Sequence, residues 1–184
     1  EVERIATTAD YSDPGFTGDA AAQKVVSQSA WEATVANFQP PPAPKPAAQW
    51  NFTGGREDVI GEREATLHGG ASLSPEGLVL DGKAGYALTA PVKSELKAKT
   101  LEAFVKLSNL QQAGGAVVGV QTLEPDSGAQ HFDAIVFGER EPARWMAGSN
   151  SFLRTQDLGA EPEASADREF VHVAIAWEED GTIR

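Results

Sequence analysis

From Ala48 to Trp177 the chain is punctuated by Gly54-Gly55, Gly69-Gly70, Asp81-Gly82, Gly114-Gly115 and Pro125-Asp126. No other feature restricts the fold as strongly. Between these breaks, apolar and polar residues alternate at period two, the pattern of a half-buried strand. The spacing predicts strands over 48–53, 63–68, 77–81, 85–90, 99–107, 115–123, 131–139, 144–148, 151–155 and 169–177. Many short strands joined by turn residues predict a mainly β fold, an antiparallel β-sandwich or jelly roll.

The first 47 residues read differently. Asp13-Pro14-Gly15 and Thr17-Gly18 are loop signals, and Asp19 is placed to cap a helix over about 20–38. Ala22, Val25, Val26, Ser29, Ala30 and Ala33 form one small-residue face of that helix. Trp31, Val35 and Phe38 form a second apolar row, so the helix is expected to touch two neighbours. Pro40-Pro41-Pro42-Ala43-Pro44-Lys45-Pro46 ends it, because proline lacks the N–H donor and fixes φ; a polyproline II spacer over 39–47 is expected. The domain boundary is therefore placed between 1–47 and 48–184.

Near the other end, Phe170–Trp177 reads as a strand, Glu178-Glu179-Asp180-Gly181 as an acidic turn, and Thr182-Ile183-Arg184 as the start of a second strand. Residue 1 is Glu. The chain is expected to be an internal piece of a larger protein with its C-terminal strands missing. A complementing chain or the rest of the parent polypeptide is expected to pair the edge at 170–177.

Composition removes several function classes. Lys+Arg 15 against Asp+Glu 27 gives a net charge of −12, which repels phosphate backbones and disfavours nucleic-acid binding. There is no cysteine, so disulfides, thiolate metal sites and cysteine nucleophiles are excluded. No membrane span or signal peptide is visible.

Three segments resemble the laminin-G-like branch of the concanavalin A-like jelly-roll superfamily. They are Gly77–Tyr86 (strand, Asp-Gly, aromatic), Lys99–Lys106 (central strand) and Phe170–Arg184 (late hairpin). Phe132–Pro142 followed by Arg144–Ser149 is similar to modules inside large exported bacterial proteins that also carry cytochrome c and uncharacterised domains. The resemblance implies a binding or structural part with no catalytic role, located in the periplasm or at the cell surface. Calcium is a common ligand of the family, but the loop carboxylates Asp81, Asp126 and Asp157 form no recognisable ligand series. No cofactor is expected.

Jelly rolls of this superfamily include glycoside hydrolases, whose paired carboxyls stand about 5–9.5 Å apart. Asp133 and Glu139 share strand parity, but six residues hold them roughly 20 Å apart. Glu139 and Glu141 are spaced suitably, but Arg140 and Arg144 lie close by and Pro142 ends the strand, so ion pairing at a solvated strand end is favoured. His68, His131 and His172 lack a neighbouring histidine, and each is read as structural. Gly114-Gly115 reads as a hairpin turn. Asn51-Phe52-Thr53 matches a glycosylation acceptor and is read as ordinary strand.

Glycan binding needs exposed aromatics beside planar polar groups. Arg144, Trp145, Asn150 and Phe152 cluster around Gly148-Ser149 and are the binding candidates, against a bland alternative with Trp145 and Phe152 in the core. The expectation is a non-catalytic module for carbohydrate binding or protein contact. A jelly-roll glycoside hydrolase is the alternative.

Overall fold

The computed structural model describes residues 45–61, 63–92, 95–122 and 131–184. The helix expected over 20–38 and the spacer up to Pro44 lie outside the described residues. All described strands belong to the unit Ala47–Arg184.

Among the described residues ten strands follow one another: β1 (Ala65–His68), β2 (Ser72–Ser74), β3 (Gly77–Val79), β4 (Tyr86–Thr89), β5 (Lys99–Val105), β6 (Ala116–Gln121), β7 (Phe132–Phe137), β8 (Trp145–Ser149), β9 (Gln156–Asp157) and β10 (Val171–Trp177). The expected mainly β, antiparallel character is observed. Every strand pairing is antiparallel, and among the described residues there is no α-helix.

The strands form four sheets: β1–β4, β2–β3, β5–β10, and β6–β7–β8–β9 in chain order. β5 and β10 pair over their full length, from Val171 opposite Val105 to Trp177 opposite Lys99. Alternation dictates their faces. Leu101, Val105, Val171, Val173, Ile175 and Trp177 turn inward, while Glu102, Phe104, His172 and Ala174 are exposed. The inward set meets Val118, Ile135, Trp145 and Ala147 of the four-stranded sheet in one buried cluster. Ile135 and Ile175 are fully or almost fully buried, each worth about 1.5–3 kcal/mol of transfer free energy. The opposite face of β7 and β8 is also buried, with Ala134, Val136 and Met146 forming a second cluster beside Phe132.

Two expected strands are corrected. Residues 48–53 are not a strand: Phe52 has φ 54°, and the Asn51 side chain accepts the Thr53 N–H at 3.3 Å, which turns the backbone out of the extended region. Residues 151–155 open instead with a 3-10 turn, Asn150–Phe152, in which Ser151 and Phe152 have φ 53° and 58°. Nor do Gly114-Gly115 join two paired strands. They lie in the link that carries the chain from the β5–β10 sheet to the four-stranded one, at φ 88° and 93°, and Gly114 N–H donates to Phe137 O at 2.8 Å.

The C-terminal hairpin forms as expected. Ala176 and Arg184 exchange backbone hydrogen bonds of 2.7 and 3.0 Å, and Gly181 supplies the turn at φ 88°. Upstream of Ala176, the edge of β10 away from β5 has no partner strand among the described residues.

Candidate functional site

One end of the space between the β5–β10 sheet and the four-stranded sheet opens into a cavity of about 530 Å³. Its polar lining includes Lys99, Asp133, Arg154, Gln156, Trp177 and Thr182. Strand register places the first of these. Lys99 opens β5 directly opposite Trp177, the last residue of β10, and its ammonium lies 5.2 Å from the indole centroid. Asp133 has the same parity as Ile135 and Phe137 on β7, so its carboxylate points toward the core side of the sheet, at the end where that core opens.

Arg154 arrives by a tight turn. After β8, the two left-handed residues Ser151 and Phe152 fold the chain back, at a cost on the order of 1–2 kcal/mol per residue for a side-chain-bearing position. The buried Ser149 holds the turn: its Oγ accepts Arg154 N–H at 2.7 Å, and its own N–H donates to Thr155 Oγ1 at 3.1 Å. Thus positioned, Arg154 donates from Nε and Nη2 to Asp133 Oδ1 at 3.1 and 3.0 Å, and from Nη2 to Phe132 O at 3.1 Å. Lys99 Nζ meets the other oxygen, Oδ2, at 2.7 Å. Burial pushes the Asp133 carboxyl up, but hydrogen bonds and charge from Lys99 and Arg154 outweigh it and hold it below the usual carboxylate range. Asp133 is therefore a fixed anion clamped between two cations. The Trp177 Nε1–H is buried without a hydrogen-bond partner among the described residues.

None of the four binding candidates lines this cavity. Arg144 donates to Ala160 O and lies 3.9 Å from Asp157. Trp145 packs on the core, tilted against Phe137 at 4.7 Å, and its Nε1 donates to Glu163 Oε2 at 2.9 Å. Glu163 also accepts Ser165 and Ala166 N–H at 2.7 and 3.1 Å; burial raises its pKa, but these bonds outweigh it and lower the pKa on balance. Asn150 and Phe152 lie beyond the far end of β8, roughly 13 Å of strand from Trp145. Asn150 Oδ1 is buried without a partner among the described residues, and Phe152 is half-exposed beneath the Arg140 guanidinium at 5.6 Å. The turn containing Asn150 and Phe152 is thus the one that delivers Arg154, while Arg144 and Trp145 belong to the other end.

Of the loop carboxylates, Asp81 Oδ1 accepts the N–H groups of Lys83, Ala84 and Gly85, and Asp157 Oδ1 accepts that of Gly159. Asp126 lies outside the described residues. Among the described residues, no group of three or more His, Asp or Glu side chains converges as a metal site. His68 stacks on Tyr86 and His172 on Phe104, each at 4.6 Å. Among the described residues, no helix is long and apolar enough to cross a membrane.

Sequence reasoning missed Lys99, Asp133, Arg154 and Trp177 as a group. The signal was present in part: Asp133 is a charge on the inward parity of an otherwise apolar strand. Comparison with protein-family models, with curated proteins and with solved structures finds no match to this chain.

Proposed function

We propose that residues 48–184 form a jelly-roll module of the laminin-G-like kind that binds carbohydrate without catalysis, in the cavity between Lys99, Asp133, Arg154 and Trp177, as part of a larger exported protein. The observation that carries the reading is the cavity itself. About 530 Å³ lies within the range of small-ligand sites, and its lining combines the polar side chains of Lys99, Asp133, Arg154 and Gln156, whereas Trp177, 6% exposed and covered by Lys99, offers no open ring face. The shared cluster between the β5–β10 and β6–β9 sheets supports the sandwich reading. A strained turn at Ser151-Phe152, held by a buried serine, is what aims Arg154, and strain of this type gathers at binding sites.

The hydrolase alternative requires a carboxylic acid kept protonated near neutral pH beside a second carboxylate. Asp133, the inward carboxylate of the cavity, is driven the opposite way by its two cations. That favours binding over catalysis.

The reading is tested by titrating the protein with a panel of oligosaccharides in a calorimeter. Expected is saturable binding of at least one, with loss of binding in Arg154→Ala and no product formed on prolonged incubation. A folded protein that binds nothing across the panel refutes it.

A further inference from the structure

We propose that the outer face of the β5–β10 sheet is a second carbohydrate-binding surface, a platform for a neutral, extended glycan. It goes beyond the cavity reading and does not rest on it, because Lys99 and Trp177 of the cavity turn to the opposite, inward side of the same two strands. Glu102 and Phe104 of β5, and His172 and Ala174 of β10, turn outward, and Lys106 stands exposed just after β5. Phe104 is 74% exposed, the barest large apolar side chain among the described residues. Phe170, two positions before His172, is also half-exposed, so the bare surface is a patch and not one side chain. Exposed apolar patches rimmed by polar groups mark contact sites.

The Phe104 ring is held in place. It lies directly opposite His172 in the register, and the two rings stack at 4.6 Å between centroids with 21° between planes. His172 Nε2 in turn lies 3.3 Å from Glu102 Oε2. One face of the Phe104 ring is therefore backed and the other is open, with little rotamer freedom left to lose on binding.

The chemistry of the face selects the occupant. A pyranose ring has an apolar C–H face and hydroxyl groups around its rim. The open Phe104 ring suits the first. Glu102 and Lys106, about 7 Å along the strand to either side, suit the second, one accepting and one donating. Their charges cancel, so the face favours no ionic ligand. Ala174, opposite Glu102, adds no bulk. Area argues against a protein partner. Seven residues at about 3.4 Å, on two strands about 4.8 Å apart, give a face of roughly 24 by 10 Å, or about 240 Å². A stable protein interface takes about 800 Å² from each partner.

The test is calorimetry with cellohexaose, xylohexaose and chitohexaose, in an Arg154→Ala background that disables the cavity. Expected is saturable binding of at least one, weakened about tenfold or more when Phe104→Ala is added. Phe104→Trp keeps an open ring and is expected to bind within about threefold of the Arg154→Ala parent. Phe104 is exposed enough to be truncated without unfolding, which an unchanged urea midpoint verifies. Wild-type binding that Arg154→Ala abolishes overturns the platform and leaves the cavity reading standing. Binding that survives Phe104→Ala, or a Trp variant as weak as the Ala one, also overturns the platform. A wild-type protein that is folded and binds none of the three overturns both. A dimer in sedimentation that Phe104→Ala makes monomeric assigns the face to a second copy of this chain and overturns the glycan.

Discussion

Replacing Asp133 by Asn preserves shape and removes charge, and its cost can be worked from the geometry. Asn offers one acceptor where Asp offers two, so its amide NH2 meets either Lys99 Nζ, now 2.7 Å from Oδ2, or the Arg154 guanidinium, donor against donor. Removing one member of a buried ion pair costs about 3–5 kcal/mol, because the remaining charge stays buried and unpaired. The penalty is smaller here, since the Arg154 side chain is 42% exposed and can turn to water, while Lys99 at 11% cannot. We expect Asp133→Asn to lower the free energy of unfolding by about 2–3 kcal/mol at pH 7. In urea that moves the midpoint down by about 1 M or more, with the slope unchanged. The pH dependence has a definite sign. The folded-state pKa of Asp133 is depressed, so its contribution is fully present above the unfolded value of about 3.9 and is lost as pH falls through the lower folded one. The gap between wild type and variant is therefore constant from pH 7 to about 5 and closes below about 4. The double variant Asp133→Leu, Lys99→Met should recover to within about 1 kcal/mol of wild type, because it leaves no lone buried charge. A gap at pH 3 as large as at pH 7, or a double variant weaker than the single, would refute the ion-pair account.

Ile135→Ala, at the centre of the cluster shared by the two sheets, should cost about 2–5 kcal/mol in the same urea assay. Gly148→Ala would place its Cβ 2.5 Å from Val136 Cγ1 in a buried, β-branched neighbour that cannot swing away; a loss of about 1–3 kcal/mol by thermal melt is expected. Glu163→Gln removes the charge that accepts from Ser165, Ala166 and Trp145, and should cost about 1–2 kcal/mol with a change in near-UV circular dichroism from the freed indole. No hydrolysis of common polysaccharides is expected; turnover abolished by Glu139→Gln or Glu141→Gln would reverse the choice between binding and catalysis.

The β character was legible because alternation and turn chemistry are local. Lys99–Val105 and Val171–Trp177 follow period two, and their expected bounds differ from those observed by two residues or fewer at either end. Residues 48–53 misled because Trp50 and Phe52 also alternate. Trp50 instead donates Nε1–H to Arg63 O at 2.9 Å, within a loop organised by the buried Asp58, whose carboxylate accepts Gln49 and Ile60 N–H at 2.9 and 3.0 Å. β2 was missed because three residues around Leu73 are too short a run to show a period. The ion cluster was out of reach for a different reason. Lys99, Asp133 and Arg154 come from three segments separated by more than 20 positions, and their meeting depends on which sheets face each other. Trp145 shows the limit of composition: an aromatic beside Arg and Asn suggests a sugar platform, yet here its ring packs on Phe137.

The full-length pairing of β5 with β10 also governs how the chain is born. Val105 waits for Val171, 66 residues later, and Lys99 for Trp177. At a synthesis rate of about 5–20 residues per second, that is on the order of 3–13 s during which the inner face of β5 has emerged without its partner strand. Leu101 and Val105 are then bare on a nascent strand with two open edges. The β7–β8 hairpin, closed by a short loop, is available in the meantime and offers the surface onto which β5 can rest until β10 arrives. Slower translation through 106–171 is therefore expected to lower the soluble yield, measured by recoding that stretch with slow codons; an unchanged soluble fraction would refute this.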